Sequence, residues 1–236
     1  MPEVIRPSTV LPANRRLFTL NTSDHLKLIG EVATPIGERV ASILCLHPNP
    51  TGGGMMDSHI YKKAANRLPA MAGITVVRFN TRGTSSEQGT SEGVFDGGDK
   101  ERFDVEAAIE FCFSQLQLEK VWLLGWSFGT EIALKHGKDS RIKGLILLSP
   151  PLKRVSEAEL LWWRNDSRTI TALVPEFDEY LAPKEAFEKF SPLPTAKVIA
   201  VTGAKHLWVG EPFVYRVLSE ICTIINPSAL PLPEEF

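Results

Sequence analysis

The sequence predicts an α/β fold in which a mostly parallel sheet of about eight strands carries helices on both faces. Two observations predict it. Short apolar runs alternate with stretches of helical periodicity, and residues 125–129, Gly-Trp-Ser-Phe-Gly, stand where one apolar run passes into a helix. Alternating strands and helices are typical of parallel sheets, because each helix returns the chain to the same end of the sheet.

The predicted strands are short apolar runs of the kind that buried strands show. Residues 15–22 and 25–34 are expected to form an antiparallel pair around a Ser23-Asp24 turn. The other predicted strands comprise residues 42–46, 74–79, 121–124, 144–148, 170–174 and 197–202.

Helices are predicted between these strands. In residues 100–115 the apolar side chains of Phe103, Ala107, Ala108 and Phe111 recur at helical intervals. The other predicted helices comprise residues 56–70, 130–136, 156–163, 183–190 and 211–225. The glycine- and serine-rich stretch that ends at residue 98 is predicted to be a loop.

The length of 236 residues lies within the range of one large α/β domain. The sequence has no internal repeat and no break in composition, so we expect residues 1–236 to form a single domain. The last ten residues, 227–236, are rich in proline and are expected to pack loosely or fray.

Charge and composition exclude several classes of protein. The 26 basic and 28 acidic residues give a net charge near −2, and no run of Lys or Arg predicts a nucleic-acid or membrane surface. Residues 1–16 carry three prolines and three arginines rather than an apolar segment, so no signal peptide is predicted. The three cysteines, Cys45, Cys112 and Cys222, each fall inside an apolar element and are interpreted as reduced core thiols. These features predict a cytoplasmic protein.

The motif at residues 125–129 is typical of a strained turn between a strand and a helix that presents a nucleophilic serine, here Ser127. In such a turn the residues two before and two after the serine must be small, and Gly125 and Gly129 meet that demand. A glycine-bounded turn that happens to contain a serine gives the same pattern, so the residues further along the chain have to decide between the two.

A serine hydroxyl becomes a good nucleophile only beside a neutral imidazole that takes its proton. The imidazole in turn needs a carboxylate, which fixes its tautomer and stabilises its cation. In this kind of sheet such groups lie at the carboxyl ends of the strands, in the chain order serine, acid, histidine. Of the five histidines, His206 alone follows the last predicted strand. Asp178 follows the strand at 170–174, and Glu176 and Glu179 are adjacent alternatives for the acid.

Four segments together resemble the α/β-hydrolase superfamily. They are residues 47–54, 78–83, 125–129 and 149–151. More narrowly, residues 44–224 resemble the small serine hydrolases grouped with dienelactone hydrolases. The resemblance implies an α/β-hydrolase fold. Dienelactone hydrolases themselves carry a cysteine nucleophile, so Ser127 argues against that particular activity.

The acid and histidine loops also resemble the family's patterns. Asp178, Leu181 and Pro183 occupy the places of the family's aspartate, apolar residue and proline, which favours Asp178 over its neighbours, although Pro175 stands where glycine is usual. The last loop keeps His206 and Gly210. There, Lys205 replaces an aspartate, and Leu207 and Trp208 replace an aromatic pair. These departures put the family's usual substrate in doubt without removing a member of the triad.

The resemblance further implies an oxyanion hole made by two backbone N–H groups. One belongs to Phe128, the residue after the nucleophile, and the other to the loop after the strand at 42–46. Because proline has no N–H, Asn49 is the expected second donor, with Thr51 as the alternative. Arg82 is expected to hold its own loop by pairing with a helix carboxylate such as Asp104.

The resulting prediction is a serine hydrolase that cleaves a carboxylic ester or related acyl bond of a small molecule through an acyl-enzyme, with no metal or organic cofactor. The same groups would also serve a thioesterase, a lactonase or an acyl-peptide hydrolase. An alternative from another class is a non-catalytic ligand-binding protein on the same scaffold, because a fold does not determine a function.

The substrate pocket is predicted to be small and partly apolar. The slot at residues 150–169 has room for one short helix and no cap domain, which predicts a minimal lid. Trp162 and Trp163 in this slot either overhang the site or belong to the core, and Trp208 is expected opposite them. Met55 and Trp126 complete the predicted pocket. Such a pocket favours short acyl chains.

Overall fold

The computed structural model describes residues 4–236 and contains ten strands and six α-helices. The strands are Asn14–Asn21 (β1), Lys27–Thr34 (β2), Ala41–Leu46 (β3), Ile74–Phe79 (β4), Ser85–Ser86 (β5), Gly89–Thr90 (β6), Val121–Trp126 (β7), Ile142–Leu148 (β8), Thr169–Phe177 (β9) and Ala196–Lys205 (β10). The helices are His59–Ala72 (α1), Glu101–Ser114 (α2), Phe128–His136 (α3), Glu157–Leu161 (α4), Pro183–Phe190 (α5) and Glu211–Ile225 (α6). None of these helices has both the length and the apolar character that a membrane crossing demands.

Eight strands form one sheet in the spatial order β1-β2-β4-β3-β7-β8-β9-β10. The pairs β1–β2 and β2–β4 are antiparallel, and every other neighbouring pair is parallel. In each of the central strands β3 and β4 all six residues are buried, which explains why most of them are apolar. The prediction of a mostly parallel sheet of about eight strands is confirmed.

The helices cover both faces of the sheet, as the sequence predicts. Helices α2, α3, α4 and α5 contribute buried side chains to the core on one face, and α1 and α6 contribute theirs to the core on the other. The three cysteines are free thiols buried in these two cores. Burial raises the pKa of the thiols of Cys112 and Cys222 to about 12, so both stay protonated and unreactive at neutral pH.

Two segments differ from expectation. The predicted loop before residue 98 contains the small hairpin β5–β6. The proline-rich tail, expected to pack loosely, is tied down, because Leu232 is buried and its carbonyl accepts a hydrogen bond from Tyr215 Oη at 2.9 Å. The backbone N–H of Ile5 also donates to the carbonyl of Glu234 at 2.8 Å. The expectation of a loose tail is therefore wrong, since a buried leucine and backbone pairing hold it.

The connection between β8 and β9 contains only the five-residue helix α4 and a short 3₁₀ turn, Trp162–Asn165. The fold therefore carries a minimal lid, as the sequence predicts. Near the amino end of α2, the guanidinium of Arg82 pairs with the buried carboxylate of Asp104 at 2.7 Å and also with Asp24 at 2.9 Å. The predicted pairing of Arg82 with Asp104 is confirmed, and it fastens the loop after β4 to α2.

Candidate active site

Ser127 lies in the turn between β7 and α3 with φ 52° and ψ −119°, a conformation that is strained for any residue except glycine. The backbone of this serine is fixed on both sides. Its N–H donates to the carbonyl of Leu148 at 2.9 Å, and its own carbonyl accepts hydrogen bonds from the N–H and hydroxyl of Thr130 at 2.8 and 2.7 Å. The turn therefore projects the Ser127 side chain from the carboxyl end of the sheet, where the residue is half-buried.

The glycines on either side of the serine are required by close backbone contacts. A Cβ atom on Gly125 would lie 2.6 Å from the carbonyl oxygen of Gly129. A Cβ on Gly129 would overlap the carbonyl oxygen of Leu46 and lie 2.9 Å from that of His47. Helix α3 therefore begins in direct contact with the end of β3, which brings the serine beside the loop that follows β3.

The structure brings Ser127, Asp178 and His206 together in the order that the sequence predicts. His206 Nε2 lies 2.9 Å from Ser127 Oγ, and His206 Nδ1 lies 2.9 and 3.1 Å from the two carboxylate oxygens of Asp178. Both His206 and Asp178 are buried. Because Nδ1 faces a carboxylate, it carries the ring proton, and the neutral ring then offers Nε2 as an acceptor for the serine hydroxyl.

The acid loop distinguishes Asp178 from its two neighbours. Oδ1 of Asp178 accepts hydrogen bonds from the backbone N–H groups of Tyr180 at 2.9 Å and Leu181 at 3.4 Å, so the carboxylate is oriented by its own loop. Glu176 is exposed and accepts the N–H of Gly203 instead. Glu179 is also exposed. Of the three carboxylates, only that of Asp178 lies against the imidazole.

The loop between β3 and α1, residues 47–54, runs beside the serine and carries the candidate oxyanion donors. Asn49 Oδ1 accepts hydrogen bonds from both the N–H and the hydroxyl of Thr51, at 3.4 and 3.1 Å, so the N–H of Thr51 is engaged within the loop. The N–H of Asn49 has no acceptor among residues 4–236. Phe128 is the first residue of α3, where a backbone N–H has no intrahelical partner. These contacts favour Asn49 over Thr51 as the partner of Phe128.

The buried side chain of His47 holds the candidate oxyanion loop in place through two hydrogen bonds. Its Nε2 accepts a hydrogen bond from the backbone N–H of Thr81 at 3.0 Å, so the proton sits on Nδ1, which donates to the carbonyl of Pro48 at 2.7 Å. Burial lowers the pKa of His47 to about 4. The neutral ring therefore fastens the loop after β3 to the end of β4 at neutral pH.

The predicted pocket residues are mostly placed elsewhere. Trp126, Trp163 and Trp208 are buried, and each satisfies its indole N–H with an oxygen of the protein, as buried tryptophans generally do. Trp162 is exposed but lies over Lys138 and Arg168, beyond the carboxyl end of α3 and away from Ser127. Of the two alternatives for the tryptophan pair, Trp163 therefore belongs to the core, and the interpretation of Trp126, Trp162 and Trp208 as pocket walls is wrong.

Trp163 points away from the site rather than overhanging it. Its Nε1 donates to the carbonyl of Leu134 near the carboxyl end of α3, at 2.9 Å, whereas Ser127 precedes the amino end of the same helix. Of the predicted pocket residues, only Met55 remains partly exposed beside the candidate oxyanion loop. Its neighbour Met56 is fully buried.

The surface around His206 is lined by residues that the sequence analysis did not assign to the substrate pocket. The ring of Tyr180 packs edge-on against the His206 imidazole with 4.5 Å between centroids. A cavity of about 370 Å³ opens next to His206. It is lined by Glu179, Gly203, Lys205, His206, Leu207, Val209 and Phe213. Leu207 and Val209 are 55% and 71% exposed, which gives the mouth an apolar rim. The sequence signal that could have identified Leu207 and Val209 as lining residues is their position within three residues after His206.

Among residues 4–236, no group of three or more His, Cys, Asp or Glu side chains is arranged to hold a metal ion. The expectation that the protein works without a metal or an organic cofactor stays a prediction.

The sequence model of the alpha/beta hydrolase fold family matches residues 42–206, well over half of the chain. The protein belongs to the alpha/beta hydrolase fold family. The matched range begins in β3 and ends at His206, so it contains all three members of the candidate triad. A comparison with the curated proteins found no match.

Solved α/β hydrolases share the whole architecture. The chain is 24% identical to a lid-less α/β serine hydrolase from Xanthomonas campestris, with a TM-score of 0.74 and coverage of 96% of this chain and 100% of that one. A serine hydrolase homologue from Coxiella burnetii is 22% identical, with a TM-score of 0.76 and coverage of 92% and 100%. An esterase from Pyrococcus furiosus is 16% identical, with a TM-score of 0.75 and coverage of 94% and 99%. At these identities the likeness shows the α/β-hydrolase fold alone.

Proposed function

We propose that this α/β hydrolase is a serine hydrolase that cleaves a carboxylic ester or a related acyl bond of a small molecule. The observation that carries the proposal is the contact of Ser127 Oγ with His206 Nε2 at 2.9 Å, while Asp178 holds the opposite ring nitrogen. A serine is activated as a nucleophile when its hydroxyl lies within hydrogen-bond distance of an imidazole that a carboxylate orients.

The buried cysteine thiols suit a reducing compartment, and we include a cytoplasmic location in the proposal.

In the proposed reaction Ser127 Oγ attacks the carbonyl carbon of the substrate while its proton passes to His206 Nε2. Asp178 stabilises the imidazolium that results. His206 then gives the proton to the leaving oxygen, and the acyl group stays on Ser127 as an ester. A water molecule, deprotonated by His206, attacks this acyl-enzyme and releases the acid and the free serine.

The negative charge on the carbonyl oxygen would be stabilised by the backbone N–H groups of Phe128 and Asn49. The N–H of Phe128 points out of the amino end of α3, where the aligned peptide dipoles add a partial positive charge. Asn49 is held in place by the closely folded loop, in which the N–H of Gly54 donates to the carbonyl of Asn49 at 3.0 Å. Preorganised donors of this kind contribute a large share of catalysis in acyl transfer.

The surroundings of Ser127 support a preference for short acyl chains. Between β8 and β9 the chain inserts only α4 and a short 3₁₀ turn, and the cavity of about 370 Å³ beside His206 has just three apolar side chains in its lining, those of Leu207, Val209 and Phe213. We therefore expect kcat/KM to be highest for acyl chains of about two to six carbons, and we expect no activation by lipid interfaces. The measurement is kcat/KM for p-nitrophenyl esters from acetate to palmitate, with matched thioesters and lactones in the same panel. An optimum at about twelve carbons or more, or a jump in rate above the micellar threshold, would contradict the prediction.

The rate should depend on pH through a histidine base. Because an imidazole accepts a proton only when it is neutral, kcat/KM should fall as the pH is lowered from about 8 to 5, the range over which the profile is recorded. His47 cannot cause this change, since burial lowers its pKa to about 4, and burial also lowers the pKa of His59. The profile is measured on an activated ester with wild-type protein. A flat profile over this range would argue against a histidine base.

A further inference from the structure

The backbone carbonyl of His206 accepts two side-chain hydrogen bonds. Trp126 Nε1 and Ser149 Oγ each donate to this oxygen at 3.1 Å. Both donors are buried, so water does not compete for the carbonyl. A carbonyl oxygen has two lone pairs, and here both are used to hold the residue that carries the proposed base.

Ser149 connects this carbonyl to a second tryptophan. Trp208 Nε1 donates a hydrogen bond to Ser149 Oγ at 2.9 Å, and the serine hydroxyl in turn donates one to the carbonyl of His206. The incoming N–H occupies an acceptor position of the hydroxyl, which directs its single O–H toward His206. Chains of hydrogen bonds strengthen one another in a buried setting. Trp126, which precedes Ser127, and Trp208, which follows His206 by two positions, are thus part of one hydrogen-bonded network.

The position of Ser149 is itself fixed and strained. It is the first residue after β8, and its N–H donates to the carbonyl of Leu173 in β9 at 2.9 Å. Its φ is +50°, which is unfavourable for a residue with a side chain. A buried hydroxyl held in such a conformation within reach of a proposed base points to a role in the site, because strain of this kind persists only where the surroundings impose it.

The loop that carries His206 is held from another side as well. Trp208 also has a positive φ, of 53°, and its N–H donates to the carbonyl of Lys205 at 2.9 Å. Nε2 of His59, the first residue of α1, lies 3.2 Å from the carbonyl of Trp208. Side chains from α1, β7 and the end of β8 therefore fix the backbone of this loop.

We propose that Ser149 is a positioning residue that fixes the backbone of His206 and thereby the reach of its imidazole to Ser127. Asp178 orients the ring through Nδ1, while Ser149 and Trp126 hold the peptide from which the ring extends. A shift of that peptide lengthens the 2.9 Å contact between His206 Nε2 and Ser127 Oγ. The kinetic consequences of this inference rest on the proposed function, whereas its structural consequences do not.

Two substitutions at position 149 distinguish the effect of the missing hydroxyl from the effect of the strained backbone. Ser149→Ala removes the hydroxyl and keeps the Cβ atom at φ +50°, while Ser149→Gly removes the hydroxyl and also the strain. We expect both to lower kcat by about 10- to 100-fold, because small misplacements of a reacting group cost up to this factor. KM should stay within about twofold, since the substrate contacts are unchanged.

Two tryptophan variants provide the partner test and the matched control. Trp126→Phe removes the other donor to the carbonyl of His206 and should lower kcat in the same way as Ser149→Ala. Trp163→Phe removes an equally buried indole hydrogen bond of 2.9 Å, but at the carboxyl end of α3. It should lower the melting temperature by a similar amount and leave kcat unchanged. The positioning role is overturned if both Ser149 variants keep the wild-type kcat, or if Trp163→Phe loses as much activity as they do.

A spectroscopic readout separates this inference from the proposed function. In ¹⁵N-labelled protein without substrate, the ring nitrogens of His206 report whether Nδ1 carries the proton shared with Asp178. We expect this signal to shift or broaden in Ser149→Ala and Trp126→Phe and to remain in Trp163→Phe. If the wild type turns over no ester but the signal responds in this way, the proposed function fails and the positioning role stands. If the wild type is active and the signal and kcat ignore Ser149, the positioning role alone fails.

Discussion

Asp178→Asn is expected to lower kcat by about 10³- to 10⁴-fold, because an amide in this place favours the wrong tautomer of the imidazole. Ser127→Ala and His206→Ala should each remove nearly all turnover, since the three groups act as one unit. The expectation follows from the contacts of His206 with Ser127 Oγ and the Asp178 carboxylate, all within 3.1 Å. The measurement is kcat and KM of each variant on the best short-chain ester.

Glu176→Gln and Glu179→Gln are the matched controls, because each removes a carboxylate within two residues of Asp178. Both side chains are exposed, and neither is hydrogen-bonded to the imidazole. They should keep kcat close to that of the wild type. If either change cripples the enzyme while Asp178→Asn is mild, the assignment of the acid is wrong.

Gly129→Ala should cost both stability and activity. The added Cβ would overlap the carbonyl oxygen of Leu46 and lie 2.9 Å from that of His47, and neither backbone atom can move aside as a flexible side chain would. We expect the free energy of unfolding to fall by about 3 kcal/mol or more, at or above the upper end for overpacked sites. Because α3 and the candidate oxyanion loop are pushed apart, the remaining folded protein should also lose most of its activity. Chemical denaturation and kcat measurements test both parts.

Gly52→Ala and Gly37→Ala are the controls for this change. Neither glycine has a positive φ, and an added Cβ would meet nothing within 4 Å at either position. Gly52 lies within the candidate oxyanion loop, so it also shows whether that loop tolerates a methyl group that does not press on α3. If Gly129→Ala proves as stable and active as these two variants, the close contact between α3 and β3 is not a requirement of the site.

The features that follow from local pattern could be predicted from the sequence. The central parallel strands are mainly apolar because both faces of the sheet are covered there, and the helices α5 and α6 have the predicted bounds. The spacing of Ser127, Asp178 and His206 relative to the strands was enough to place them in neighbouring loops. A motif, a chain order and a sheet topology together determine such a site, since each member follows a different strand of the same sheet.

The features that depend on distant packing could not be predicted. A pair of tryptophans in a short connection looks the same whether it covers a site or fills a core, and the direction of Trp163 is set by the carbonyl of Leu134 in another element. The tail was misjudged for the same reason, because the burial of Leu232 depends on its contact with α6. Ser149 gave no sign in the sequence of its contact with the carbonyl of His206, which lies 57 positions away.

The direct test of the account is to treat the wild-type protein with a fluorophosphonate and to locate the adduct by peptide mass spectrometry. An activated serine forms a stable covalent ester with this reagent, whereas ordinary serine hydroxyls do not react. We expect one adduct per chain, on Ser127, with no labelling of Ser127→Ala and much slower labelling of His206→Ala. A wild-type protein that remains unlabelled at Ser127 while it hydrolyses an ester, or that is labelled at another residue, would contradict the claim that Ser127 is the nucleophile.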